Sequence, residues 1–180
     1  CHIQESVIDS EALTNTLKEQ CIEQIFYGAA VTSGPDRERD TPERVLSVNL
    51  VGLATVARLA AKTGIRRLIN LSSGSAYGLP DEDESNWPPT LREEHTRERP
   101  VSLYALSKFA TEITTRRIAA LTGLDALSVR LSSIFGPWER DTGFRDTLSA
   151  PLQATVAAQY GQPVFLDRHE FRDWTYSRDV

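Results

Sequence analysis

Tyr104 and Lys108 stand four residues apart in the stretch YALSK, and in a helix that spacing puts them on one face, one turn apart. An ammonium beside a phenol favours the phenolate and draws its pKa toward working pH. A phenol tuned in this way can take a proton from a substrate hydroxyl or return one to a carbonyl. A serine at the end of a neighbouring strand could hydrogen-bond the same oxygen. Ser73, in LSSGSAYG, is that serine if the run before it is a strand. A tyrosine and a lysine at this spacing also occur as an ordinary surface pair, so the surrounding elements have to decide between the two readings.

Those elements alternate. DSEALTNTLKEQ has Asp9 and Ser10 as cap candidates and apolar residues at helical spacing. IEQIFYGAA reads as a short buried strand ending in small residues. TPERVLSVNLVGLATVARLAAKTG predicts a helix over 41–64, with Thr41 as N-cap, Pro42 at the first helical position and Gly64 at the end. RRLINLSSGSAYG is a strand running into a small-residue turn. SLYALSKFATEITTRRIAALTG is the clearest helix, over 102–123, opened by Ser102 and stopped by Gly123. LDALSVRLSSIFGP is one more buried strand. A helix around Leu148 to Tyr160 and a short strand near Pro163 to Leu166 follow. Residues 79–101, rich in Asp, Glu, Arg and Pro, are a long loop between Ser73 and Tyr104.

Alternating strands and helices predict an α/β fold: a Rossmann-like doubly wound parallel sheet with helices on both faces. In such sheets ligands sit at the carboxyl ends of the strands. That rule selects residues 28–30, 72–75 and 131–137. The net charge of −5 argues against non-specific nucleic-acid binding. No apolar run is read as long enough to span a membrane. Cys1 and Cys21, without a CxxC pattern, give no metal site, and a reduced cytoplasmic location is expected. The chain opens without methionine and closes in mid-pattern, so both ends are expected to continue in a longer polypeptide.

LSSGSAYG followed by YALSK resembles the extended short-chain dehydrogenase/reductase family, the NAD-dependent epimerase/dehydratase group. The likeness runs over nearly the whole chain: IFYGAAVTSG, VNLVGLATVARLAAKTGIRRLINLSS, VRLSSIFGP and FRDWTYSRDV each resemble a family segment, in family order. The resemblance implies NAD as cofactor, with NADP left open, and a sugar or sugar-nucleotide substrate. It makes Tyr104 the acid/base, Lys108 the residue that holds the nicotinamide ribose and tunes Tyr104, and Ser73 the residue that orients the reacting oxygen. Cofactor contacts would come from Ser6, Val7, Gly28, Ala29, Ala30, Asn49, Leu71, Leu131 and Ser132, besides Tyr104 and Lys108. Asn49 would serve by supporting the loop after the first strand. Substrate contacts would come from Ser75, Ser133 and Arg172. The chain is expected to be a single incomplete NAD(P)-binding domain over 1–180, without the first βαβ portion and the C-terminal substrate region, and with substrate-side elements from about 138 to 180.

The sequence departs from the family pattern in four places. It contains no glycine-rich phosphate loop, so the isolated polypeptide is expected to bind a dinucleotide poorly. Ser6 stands where an aspartate is usual. Gly74 and Ser75 stand where dehydratases carry an acidic pair, which disfavours dehydration. Ser133 stands where many UDP-sugar enzymes have asparagine. Three functions remain: an epimerase working through a transient keto intermediate, a dehydrogenase or reductase of a small sugar acid, aldehyde or ketone, and a non-catalytic dinucleotide sensor. A homodimer is expected through the 41–64 and 102–123 helices, and the 79–101 loop is expected to close over substrate.

Overall fold

The computed structural model describes residues 2–78, 90–94, 99–143, 148–164 and 173–180. They fall into two compact units, Cys1–Arg130 and Leu131–Val180.

In the first unit Asp9 caps α1 (Ser10–Glu19), its carboxylate accepting the N–H groups of Glu11 and Ala12. β1 (Gln24–Tyr27) runs parallel to β2 (Arg67–Ser73), in a register that sets Ile25 beside Leu68 and Tyr27 beside Asn70. β3 (Asp125–Leu131) lies on the other side of β2. Between β1 and β2 the chain forms α2 (Pro35–Asp40), α3 (Pro42–Leu46), a π-helical turn (Ser47–Val51) and α4 (Gly52–Thr63). A 3-10 turn, Gly74–Tyr77, follows β2, and α5 (Leu103–Thr122) precedes β3. Gly64 and Gly123 end α4 and α5 in the left-handed conformation, at φ 76° and 75°.

Leu68, Asn70 and Ser72 are buried on one face of β2, and α5 packs on that face. α4 packs against α5 and α1, enclosing a cluster of Tyr27, Leu53, Val56, Ala57, Ala60, Ile65, Leu68 and Leu124. Gly52 permits this approach: a Cβ there would stand 2.5 Å from the Tyr27 hydroxyl and 2.8 Å from Val7 Cγ2. The sheet's other face carries Phe26, Leu127 and Val129, all exposed. Among the described residues of this unit, α4 and α5 cover one face of the parallel sheet, in the α/β arrangement that the sequence pattern predicts.

Some expectations are corrected locally. The helical stretch Pro42–Thr63 is 22 residues long with a hydropathy of 1.4, enough to cross a membrane by length and composition. Its apolar side (Val45, Leu53, Val56, Ala57, Leu59 and Ala60) is the buried core. Thr41 makes no capping bond; it both ends α2 and starts α3, and its hydroxyl donates back to the Arg37 carbonyl at 3.4 Å.

The strand read as continuous from Leu124 to Pro137 breaks at Ser132. Its second part, β4 (Ser133–Phe135), belongs to the second unit and pairs in parallel with β5 (Trp174–Tyr176). Phe135 meets Trp174 edge-on, with ring centroids 5.9 Å apart, and lies 5.7 Å from Tyr176. Gly136, at φ 123°, is required beside that cluster, since a Cβ would stand 2.7 Å from the Tyr176 ring. α6 (Ala150–Gln159) is capped by Ser149, which Glu139 holds through both N–H and hydroxyl. Pro163 and Val164 are irregular, not strand, and 165–166 lie outside the described residues.

Candidate active site

α5 begins where Ser102 turns its hydroxyl onto the N–H of Ala105, which places Tyr104 in the first helical turn. Tyr104 is half-buried. Lys108, one turn on, is 4% exposed. Its Nζ lies 5.8 Å from the centre of the Tyr104 ring and donates to the Leu71 carbonyl at 2.8 Å. Burial lowers the Lys108 pKa to about 8. An ammonium in this position offers three N–H donors. Among the described residues the Leu71 carbonyl takes one, and the others could meet the hydroxyls of a nicotinamide ribose. The side chain thus fits the cofactor role that the resemblance implies.

Ser73 ends β2, two residues beyond Leu71. Its hydroxyl accepts the Ser75 N–H at 3.1 Å and donates to the Ser75 hydroxyl at 3.2 Å, which starts the 3-10 turn. Gly28 follows β1 directly, and a Cβ there would touch Leu71 Cδ1 at 3.4 Å. Ala29 packs on the core and Ala30 is half-buried. Asn49, 1% exposed within the π-helical turn, binds the loop after β1 through both backbone groups of Val31. Its Oδ1 accepts from the Val31 N–H at 2.8 Å, and its Nδ2 donates to the Val31 carbonyl at 3.1 Å. The second Nδ2 hydrogen goes to the Ser107 hydroxyl on α5 at 2.9 Å. Both amide hydrogens are therefore committed, and Asn49 supports the loop. Tyr27 donates to the Val48 carbonyl in the same turn, and burial pushes its phenol pKa well up.

The first unit thus gathers Gly28–Ala30, Asn49, Leu71, Ser73, Tyr104 and Lys108 around the ends of β1 and β2. Ser75 is exposed beside Ser73. Ser6 is exposed, its carbonyl accepting from the Asp9 N–H, and Val7 packs against the core near Gly52. In the second unit Leu131 is half-buried, Ser132 shares a hydrogen bond with the Thr175 hydroxyl at 2.5 Å, and the Ser133 N–H donates to the Asp173 carbonyl. Arg172 lies outside the described residues, as do 79–89 and 95–98 of the loop expected to close.

The motif reading misses Glu38. From α2 its Oε1 accepts the Leu103 N–H at 2.7 Å and the Ser33 hydroxyl at 3.0 Å, a carboxylate cap on the helix that carries Tyr104. It comes from 65 residues away, so no local pattern announces it. Chemically, the site sets a phenol on a fixed helix, a buried ammonium behind it and a hydroxyl at a strand end. That arrangement can exchange a proton with an oxygen while holding the oxygen in place.

Comparison with known proteins gives the family and the fold. The NAD dependent epimerase/dehydratase family matches residues 3–180. UDP-glucose 4-epimerase of Mycolicibacterium smegmatis is 29% identical over 99% of this chain and 54% of its own. Among solved structures, UDP-glucose 4-epimerase of Thermotoga maritima with UDP-glucose has a TM-score of 0.84 at 25% identity, covering 98% of this chain and 55% of that one. The Thermus thermophilus UDP-glucose 4-epimerase in complex with NAD has a TM-score of 0.76 at 24% identity, over 96% and 55%. The chain thus spans about half the length of the relatives it matches.

Proposed function

The chain belongs to the NAD dependent epimerase/dehydratase family, and from that premise we propose that it carries the proton-transfer centre of an epimerase acting on a nucleotide sugar. The buried Lys108 ammonium, one turn behind Tyr104 and tied to the carbonyl two residues before Ser73, carries the reading. Tyr104 accepts the proton of the substrate hydroxyl as that carbon is oxidised and returns it to the same oxygen on reduction. Ser73 hydrogen-bonds that oxygen in both directions. Lys108 favours the phenolate and holds the ribose of the cofactor. NAD, when bound, supplies hydride acceptance and hydride return, so an epimerase consumes none.

The names of the relatives support nucleotide sugars as the substrate class, UDP-hexoses first. Gly74 and Ser75, in place of an acidic pair, favour epimerisation over dehydration. A second copy is proposed to pack on α4 and α5. An apolar groove of about 710 Å³ runs between them, lined by Val51, Ala54, Ala61, Ile118 and Leu121. Val51 and Leu121 are more than half exposed, whereas Val45 and Leu53 are core.

The test incubates the full-length protein with NAD and a panel of UDP-hexoses and UDP-hexuronates. Products are followed by NMR and the cofactor by its reduced-nicotinamide absorbance. Inversion at one carbon without net absorbance is expected. Steady accumulation of reduced cofactor would identify a dehydrogenase instead, and no turnover of any sugar nucleotide would reject the proposed substrate class.

A further inference from the structure

Glu112 and Arg130 form a bidentate ion pair, Nε to Oε1 at 2.8 Å and Nη2 to Oε2 at 2.7 Å. Their side chains are 5% and 8% exposed. Nothing in the proton transfer uses them. Glu112 sits on α5 one turn beyond Lys108, and Arg130 sits near the end of β3. The Ser72 hydroxyl donates to the same Glu112 Oε1 at 2.5 Å. The Arg130 guanidinium lies over the Tyr77 ring, 4.1 Å from its centre. Ser72 is the residue before Ser73, and Tyr77 closes the turn that Ser73 caps. One buried ion pair therefore grips the chain on both sides of Ser73 and ties it to the helix that bears Tyr104.

A buried pair of this kind is often no more stabilising than apolar residues of the same volume. Apolar residues could not accept the Ser72 hydroxyl proton on one side and set a cation over the Tyr77 ring on the other. We propose that Glu112 and Arg130 are positioning residues that fix the Ser73 hydroxyl relative to Tyr104. The proposal rests on the reading of Ser73 as the group that orients the substrate oxygen.

Three variants of the full-length protein test it. Arg130→Lys keeps a cation for Glu112 but loses the flat face. Glu112→Gln keeps shape and an acceptor for Ser72 but loses the charge. Tyr77→Leu removes the ring and leaves the ion pair whole, so it decides the matter if either of the others fails to fold. A misplacement on the order of 1 Å at a reacting centre can cost about 10²-fold. Turnover of UDP-glucose is expected to fall about 10- to 100-fold in each variant, with KM within about twofold. The Arg130→Lys, Glu112→Gln double variant should be scarcely worse than the worse single. Crystal structures with NAD bound should show the Ser73–Tyr77 turn displaced in the variants and unmoved in Tyr104→Phe. An unmoved turn in every variant that folds overturns the proposal, as does a displaced turn with undiminished kcat. A wild-type protein inactive on every UDP-hexose would reject the epimerase reading alone, and the position of the turn would still decide this one.

Discussion

Leu68 and Ser72 are buried on the same face of β2, four residues apart, yet their surroundings share almost nothing. Leu68 joins an apolar cluster with Leu53, Val56, Ala60 and Leu124. Ser72 joins a polar one, in which Asn70 donates to the Thr111 and Ser128 hydroxyls and Glu112 receives both Ser72 and Arg130. The apolar end is held by area removed from water, roughly 25 cal/mol per Å², and has no preferred direction. The polar end is directional: each buried group must meet its partner or lose the free energy of its hydration. The first end holds the helices on the sheet. The second sets their register to within a hydrogen bond, and it lies beside Ser73, Tyr104 and Lys108. Precision has been concentrated at the strand's carboxyl end, where the proposed proton transfer needs it.

If the division is real, substitutions at the two ends must fail differently. The largest effect is expected for Tyr104→Phe. It keeps the ring and removes the hydroxyl proposed to exchange the proton, so turnover of the full-length protein should fall by about 10²–10⁴-fold. Stability should stay within about 0.5 kcal/mol, since the residue is only half-buried. Steady-state kinetics and thermal melts together check it; retention of most of the wild-type rate would reduce Tyr104 and Lys108 to a helix-surface pair. At the other end, Leu53→Ala should cost about 2–5 kcal/mol, because Leu53 is fully buried and its neighbours come from three elements. Turnover per folded molecule should hardly change. A comparable loss of kcat in this variant would break the comparison.

Lys108 sharpens it through pH. Its pKa is about 8 in the folded protein against 10.5 unexposed to burial. Below about pH 8 it is protonated in both states, and the folded protein carries the full cost of a buried charge. Between about 8 and 10.5 the unfolded chain binds more protons, so this group's contribution to stability rises with pH. The rise is at most about 3 kcal/mol over the window. The melting temperature of wild type should therefore gain on that of Lys108→Met between pH 7.5 and 10, where other titrations cancel in the difference. A difference that is flat or falls with pH would show that the Leu71 carbonyl compensates the burial.

The sequence exposes these two ends unequally. The helical stretch from α3 to α4, and α5 after it, are legible because their signals are local: Pro42, Gly64, Ser102 and Gly123 act within a turn of themselves. Tyr104, Lys108 and Ser73 are singled out by the family resemblance of short motifs, and the structure sets them on α5 and at the end of β2. Glu112, Arg130 and Glu38 are not, since a charged residue on a helix or strand reads as a solvated one until its partner is known. Each partner lies on another element, from 18 to 65 residues away. The break at Ser132 is hidden for the same reason: β3 and β4 share one apolar run, and only pairing with β5 separates them.

Glu38 gives the smallest effect and the finest test. It caps α5 twice over, as a hydrogen-bond acceptor for Leu103 and as a negative charge at the positive end of the helix. Glu38→Ala removes both and should destabilise by about 1 kcal/mol, the usual scale for losing a cap. Glu38→Gln keeps the acceptor and removes the charge, so it should cost only the dipole part, about 0.3–1 kcal/mol, and that part should shrink with added salt. The hydrogen bond to Leu103 also fixes the backbone just before Tyr104. Turnover should therefore follow the acceptor and not the charge, falling a few-fold in Glu38→Ala and little in Glu38→Gln. Chemical denaturation at low and high salt, with kcat measured on both variants, separates the two contributions. Equal kcat in both variants would mean that Ser102 alone positions the start of α5, leaving Glu38 as a stabilising contact between α2 and the helix.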